Sequence, residues 1–317
     1  MMTKIVFMGT PEFAVPCLEN LLKEGYEVAA VVTQPDRPVG RKRVLTPTPV
    51  KAAALEHGIP VWQPEKLRTS TTIEDIRALE PDLIVTAAYG QILPKSVLDI
   101  PRLGCINVHG SLLPKYRGGA PIQRSIMNGE PVTGVTIMYM AEGMDTGDMI
   151  RPIEVPITDE DNAGTMFQKL SAAGAQLLID TLPDLIAGRI QAIPQPHEEA
   201  TYAPNLKRED EKIDWSHSAR EIFNQVRGLV PFSGGFTLWN DEVFKVWACE
   251  APSKAEADAS KGSQEPGTVL TLSPRGIEVQ TGAGTLWLTE VQPAGKKAMA
   301  ASEFVRGGKM MRGMVLK

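Results

Sequence analysis

The 317 residues predict an α/β protein: a doubly wound, mostly parallel, Rossmann-like sheet followed by a small, OB-like β-barrel. Three observations carry that expectation. Through the first half of the chain, short apolar runs alternate with segments of helical spacing, the pattern of a parallel sheet with helices on its faces. The alternation then breaks in "GRIQAIPQPHEEATYAPNLKRED", a proline-bearing stretch with no usable periodicity. Beyond it, short apolar runs separated by Gly, Pro and Asp turns have the length of barrel strands.

The elements follow in order. "KIVFMG" is an apolar run closed by glycine and reads as a buried strand. In "PEFAVPCLENLLKEG" the apolar residues Phe13, Cys17, Leu18, Leu21 and Leu22 have helical spacing, and Gly25 ends the helix. "EVAAVVT", "DLIVTAA" and "CINVH" predict further buried strands and "VKAAALEHG" a short helix. "TGVTIMYM" alternates more clearly, as a strand nearer an edge does, and a helical segment over about 165–187 closes this half. The turn "GTPEFAVP" stands where a dinucleotide fingerprint would stand. It lacks G-x-G-x-x-G, and Pro11 and Glu12 occupy positions where a pyrophosphate needs N–H donors and no negative charge, which argues against a nicotinamide or flavin cofactor.

In the second half "SAREIFNQVRGL" predicts a helix. "GGFTLW", "EVFKVWACE", "GTVLTL", "GIEVQT" and "GTLWLTEVQ" predict strands, and the polar "SKAEADASKGSQEPG" a mobile loop. The expected organisation is therefore a catalytic domain over 1–188, a linker over 189–208 and a β domain over 209–317.

With 43% hydrophobic and 22% charged residues the chain has the composition of a soluble globular protein. Its first residues form neither a signal peptide nor a membrane span. Cys17, Cys105 and Cys249 are far apart and without metal-site spacing, so reduced thiols and a cytoplasmic location are expected. A net charge of −5 argues against a basic coat for nucleic acid, yet the cations are clustered. Arg37, Arg41, Lys42 and Arg43 sit near the front, and from Lys296 onward six basic residues face one acid, Glu303. Local basic patches on an acidic body suit an anionic partner gripped at few places.

The chemistry concentrates in "INVHGSLLPKYRGGAPIQRS". Residues i and i+2 of a strand face the same way, so Asn107 and His109 project together from a strand's carboxyl end, where ligands of doubly wound sheets bind. An amide donor beside a group that donates, accepts or carries charge suits a reaction that builds an oxyanion and moves a proton. A third group lies in "AEGMDTGDMI", where a turn between Gly143 and Gly147 could hold a carboxylate against the histidine. Spacing alone leaves both Asp145 and Asp148 open for that role.

"NVHGSLLPKYRGGAPIQRSIMNGE" followed by "TGVTIMYMAEGMDTGDMI" resembles the folate-dependent formyltransferases, whose pattern is Asn-x-His, SLLP, a glycine turn and a DTG- or DSG-like carboxylate loop. "KIVFMGTPEFAVPCLE", "TQPDRPVGRKR", "PDLIVTAAYGQILP", "KIDW" and "QPAGKKAM" extend the match over nearly the whole chain, in the order of members that act on methionyl-tRNA. The resemblance implies 10-formyltetrahydrofolate as formyl donor and the α-amino group of methionine on initiator tRNA as acceptor, with no metal and a monomeric enzyme. It implies Asn107 and a protonated His109 as oxyanion donors and selects Asp145 over Asp148 as the carboxylate. It places Ser111, Leu112, Leu113 and Pro114 against the folate, with Gly90, Gln91, Ile92 and Leu93 near its pterin ring and Glu142, Gly143 and Met144 along the ring's edge. For tRNA it implies the front loop with Arg37, Arg41, Lys42 and Arg43, and Lys296 and Lys297 in the β domain. The alternative is a formyltransferase of amino-sugar nucleotides. Those enzymes share Asn-x-His-x-SLLP but have little use for the basic front loop or "QPAGKKAM". A non-catalytic binding module would not need the Asn107, His109 and Asp145 set at all.

Overall fold

The computed structural model describes residues 3–40, 42–253, 262 and 264–317. They divide into two compact units. The first takes the chain up to Pro121 together with Val132–Pro156 and Phe167–Pro204; the second comprises Ile122–Pro131, Ile157–Met166 and Asn205–Lys317.

In the first unit β1 (Lys4–Gly9) leads into α1 (Val15–Lys23) and β2 (Glu27–Val32). A hairpin follows, β3 (Arg37–Val39) and β4 (Val44–Thr46), then α2 (Pro49–Glu56) and β5 (Val61–Trp62). Next come α3 (Thr72–Leu79), β6 (Leu83–Ala87), α4 (Lys95–Leu98) and β7 (Cys105–His109), after which α5 (Pro121–Met127) belongs, from Ile122 on, to the second unit. β8 (Val132–Tyr139), β9 (Met149–Pro156) and α6 (Ala163–Ile186) complete the series. Among the described residues, seven strands form one sheet in the order β5-β2-β1-β6-β7-β8-β9. It is parallel from β5 to β7 and antiparallel at β7/β8 and β8/β9. The chain builds outward from β1 to one side, then returns to the other with β6, and the loops at that reversal leave a ligand crevice at the carboxyl ends of the strands. The β1, β2 and β6 loops are tied together there: the Tyr89 carbonyl accepts from Thr10 Oγ1 (2.9 Å) and Gln34 Nε2 (3.2 Å).

The second unit contains α7 (Arg208–Glu211) and α8 (Ala219–Leu229), the latter opened by a capping box between Ser218 and Glu221. β10 (Gly235–Trp239), β11 (Glu242–Cys249), β12 (Val269–Ser273), β13 (Gly276–Gln280) and β14 (Thr285–Gln292) pair antiparallel in the order β10-β11-β14-β13-β12. β15 (Met299–Ala300) pairs with β14 and leads into α9 (Ala301–Arg306). The two edges are joined by the last five residues. Val269 N–H donates to the Met314 carbonyl (2.8 Å) and Leu316 N–H to Gly267 (2.9 Å), while Leu238 and Lys317 exchange bonds of 2.7 and 3.0 Å. Residues 313–317 thus close the sheet into a barrel around Phe244, Val246, Ile277, Leu288 and Leu316, with Ile222 and Phe223 of α8 packed on the same core.

The expected strands and the long helix are all present. Three features differ from the sequence reading. The front loop is a hairpin, since three-residue strands are too short to show a period. β9 carries Pro152 and Pro156, which obscure a strand in sequence but are tolerated because β9 is an edge. The stretch read as a linker from 189 packs on the first unit as far as Pro204: Ile193 pairs with Met149, and Arg117 N–H donates to the Thr201 carbonyl (2.9 Å). Its prolines forbid a helix but favour the extended backbone that such pairing uses. Most of the loop expected to be mobile, residues 254–261 and 263, lies outside the described residues.

Leu316 is 1% exposed in the closing strand. Leu316→Ala should cost about 2–5 kcal/mol, read as a lower urea midpoint for the second unit followed by its tryptophan fluorescence.

Candidate active site

β7 carries the first two groups. Asn107 and His109 sit two residues apart at its carboxyl end, paired across β8 with Met138 and Thr136. The neighbouring strand orients the amide: Thr86, in register with Asn107 on β6, donates its hydroxyl to Asn107 Oδ1 at 2.8 Å. Oδ1 is thereby occupied as acceptor, and no acceptor among the described residues takes the hydrogens of Nδ2. The amide is presented as a donor.

His109 is 5% exposed. Its Nε2 lies 3.0 Å from the Tyr116 carbonyl, and since a carbonyl oxygen only accepts, Nε2 carries a hydrogen. The exchangeable position is Nδ1, which faces Asp145 Oδ2 at 3.8 Å, too long for a hydrogen bond but an ion-pair distance when the ring is protonated. Asp145 is therefore the carboxylate at the histidine, while Asp148 is exposed and its carbonyl accepts from Tyr139 N–H on β8. The Asp145 carboxylate is itself held by Gly118 N–H at 2.8 Å, so the glycine turn serves as its seat. Gly147 closes the Asp145 turn where only glycine fits: a Cβ there would stand 1.9 Å from the Tyr139 carbonyl.

The SLLP loop is pinned at Thr136. That hydroxyl donates to the Ser111 carbonyl (2.7 Å) and accepts from Leu113 N–H (3.1 Å), while Ser111 Oγ donates to the Lys115 carbonyl (2.7 Å). Gly134 on β8 leaves room for Leu112, whose Cδ2 would be 2.5 Å from an added Cβ. Leu113 is buried and Leu112 and Pro114 half-buried. In the second loop Gly90 has φ +88°, Leu93 is in the core, and Ile92 is 70% exposed. The Gln91 side chain accepts from Leu67 N–H (2.8 Å) and donates to the Pro64 carbonyl (3.1 Å). In the third, Glu142, Gly143 and Met144 are exposed, and Glu142 is close enough to Lys95 to help Asp99 hold its ammonium above the usual lysine range. Ile92 and Met144 each offer apolar surface to solvent.

The basic residues are placed unequally. Lys42 and Arg43 are exposed at the hairpin turn beside the exposed Val39, Val44 and Leu45, whereas Arg37 is paired with Glu65 at 2.8 Å. Arg41 lies outside the described residues. The hairpin's base is anchored by Asp36, whose carboxyl is held below its usual value by hydrogen bonds from Lys51 and Gln63. Lys296 and Lys297 are exposed between β14 and β15 in the second unit. Among the described residues no group of three or more His, Cys, Asp or Glu could hold a metal ion, and no helix is long and apolar enough to cross a membrane.

Sequence reasoning missed Thr86, Thr136, Arg117 and Gln195. Thr86 had a signal, a lone hydroxyl within the apolar run "DLIVTAA". The others become visible only when distant segments meet.

A strand-end amide and imidazole opposed by a carboxylate can stabilise a developing oxyanion and move a proton, which is the chemistry acyl and one-carbon transfer require. Two family profiles match, that described as Formyl transferase over residues 3–182 and that described as Formyl transferase, C-terminal domain, over 205–309; the chain belongs to this family. The protein named methionyl-tRNA formyltransferase in Bacillus subtilis is 57% identical over 316 residues, covering 99% of this chain and 98% of that one. The protein of the same name in Listeria monocytogenes serotype 4a is 58% identical over 307 residues, 96% of each chain. The N-formyltransferase of Helicobacter canadensis, solved with folinic acid and dTDP-3-aminofucose, shares the fold: TM-score 0.67 at 18% identity, covering 94% of this chain and 100% of that one.

Thr86→Val keeps the β-branched shape and removes the hydroxyl that orients Asn107. With ~0.5–1.5 kcal/mol for such a bond, the turnover for formyl transfer should fall by up to about tenfold with a modest drop in melting temperature, measured by steady-state kinetics beside a melting curve.

Proposed function

We propose that the chain transfers the formyl group of 10-formyltetrahydrofolate to the α-amino group of methionine on initiator tRNA, giving formylmethionyl-tRNA for translation initiation in the cytoplasm. The reading is carried by the Asn107, His109 and Asp145 set in a chain 57% identical to a methionyl-tRNA formyltransferase along 98% of that relative's length.

An α-amino group has a pKa of about 8, so a useful fraction is neutral and nucleophilic near pH 7. Its nitrogen attacks the formyl carbon, a C–N bond forms, and the formyl oxygen takes up negative charge. Asn107 Nδ2 and the Nδ1 of a protonated His109 donate to that oxygen, with Asp145 opposite the ring. Collapse breaks the bond from the carbon to N10 of the folate, and the proton given up by the amine ends on N10. The residues fit a folate: the pinned Ser111–Pro114 loop supplies one wall, and Ile92 and Met144 supply apolar surface for the faces of a bicyclic ring.

The hairpin, with Lys42, Arg43 and Arg41, contacts the acceptor end of the tRNA. The domain over 209–317, with Lys296 and Lys297, grips its body through phosphates, one tRNA to one protein monomer.

Transfer of labelled formyl from 10-formyltetrahydrofolate should be seen with methionyl-initiator tRNA, and not with methionyl-elongator tRNA or an amino-sugar nucleotide. Asn107→Ala should lower turnover by about 10²–10³. Activity confined to the sugar nucleotide would overturn the acceptor. For the hairpin, Lys42→Glu with Arg43→Glu should raise KM for the tRNA alone and reduce the salt slope by about 1 per lost phosphate contact. An unchanged, salt-insensitive KM would remove the hairpin from tRNA binding.

A further inference from the structure

Asp145 has φ +51°, in the left-handed region that a non-glycine residue occupies only when its surroundings hold it there. The surroundings include a side chain from far along the chain. Gln195, 5% exposed, donates from Nε2 to the Asp145 carbonyl (2.8 Å) and to the Gly147 carbonyl (2.7 Å), bridging the turn. Its Oε1 accepts from Arg117 Nε (2.9 Å) and Nη2 (2.7 Å), and Arg117 is 1% exposed. The orientation of the amide is fixed by chemistry: a guanidinium only donates and a carbonyl only accepts, so oxygen and nitrogen cannot be exchanged. The circuit then closes on itself, because Gly118, the residue after Arg117, gives its N–H to the Asp145 carboxylate.

We propose that Gln195 is a positioning residue of the active site, with Arg117 behind it: their bonds hold the Asp145 turn so that its carboxylate meets His109. The inference rests on the catalytic role assigned above to Asp145. Both hydrogens of Gln195 Nε2 are spent on one turn and both acceptor sites of Oε1 on one guanidinium. The side chain has no freedom left, and any shift of it is passed to the turn.

Gln195→Glu separates this role from a merely structural one. The carboxylate retains, and electrostatically strengthens, the contact with Arg117. It removes both donors to the turn and sets an anion against two carbonyl oxygens. The expected result is a turnover reduced by tenfold or more, with KM for folate and tRNA within about twofold of wild type in a protein that still melts cooperatively, if at a lower temperature. Gln195→Met, which has similar length and no polar group, should also lose turnover. In an Asp145→Asn background, Gln195→Glu should cause no more than a twofold further loss, since two residues acting through one carboxylate are not additive. Full turnover in Gln195→Glu, or losses that multiply independently in the double variant, would overturn the proposal. Wild-type transfer is measured first with each acceptor. Its failure on methionyl-tRNA rejects the acceptor, not Gln195, and the cycle is then run on whichever acceptor is used.

Discussion

The site depends on one bond, from His109 Nε2–H to the carbonyl of Tyr116. It settles which ring nitrogen keeps its hydrogen and which is left for chemistry. The carbonyl can serve because the loop that carries it is fixed from two directions: Thr136 on β8 pins Ser111 and Leu113, and Thr201 accepts the Tyr116 N–H at 2.9 Å. Tyr116 itself has φ +60°, a backbone state that those contacts hold in place. From this loop the order spreads outward, since its next two residues supply the guanidinium behind Gln195 and the N–H that seats Asp145. Imidazole, carboxylate and the SLLP segment are thus positioned by a single run of eight residues.

Polar groups do this work because the sheet beneath is apolar. β6 is buried throughout, and its one hydroxyl, on Thr86, is spent on Asn107. Placed in a low-dielectric setting, each such bond is stronger than in water, and each would be costly to leave unmade. In the mechanism proposed above this makes the arrangement preorganised, with the amide presenting its donors before an oxyanion exists to receive them.

Local features were legible in the sequence, and assembled ones were not. Asn107 and His109 could be read as neighbours because strand geometry has a fixed period of two. The choice between Asp145 and Asp148 could not be made from spacing, since they stand three residues apart on either side of Gly147; in space it is Asp145 that takes the Gly118 N–H and comes within 3.8 Å of His109. The resemblance places Gln91 beside the pterin ring, and the structure adds that its amide fastens that loop to Pro64 and Leu67. Gln195 carried no signal at all. It is a polar residue between two prolines, and its meaning comes from a turn 50 residues earlier. The hairpin and β9 were hidden by shortness and by proline, respectively.

The barrel's closing strand has a consequence for the order of biosynthesis. The second unit draws on Ile122–Pro131, Ile157–Met166 and Asn205–Lys317, and among the described residues its β10 and β12 edges are bridged by residues 313–317. During translation, at about 5–20 residues per second, the early segments emerge long before the strand that completes their unit. Until then β12 lacks that partner and β10 is covered only at Phe236, by the Ile213 N–H, which leaves strand edges of the kind on which chains pair wrongly with one another. An intermediate in which residues 313–317 have not yet docked is therefore the state of this unit most open to such mispairing.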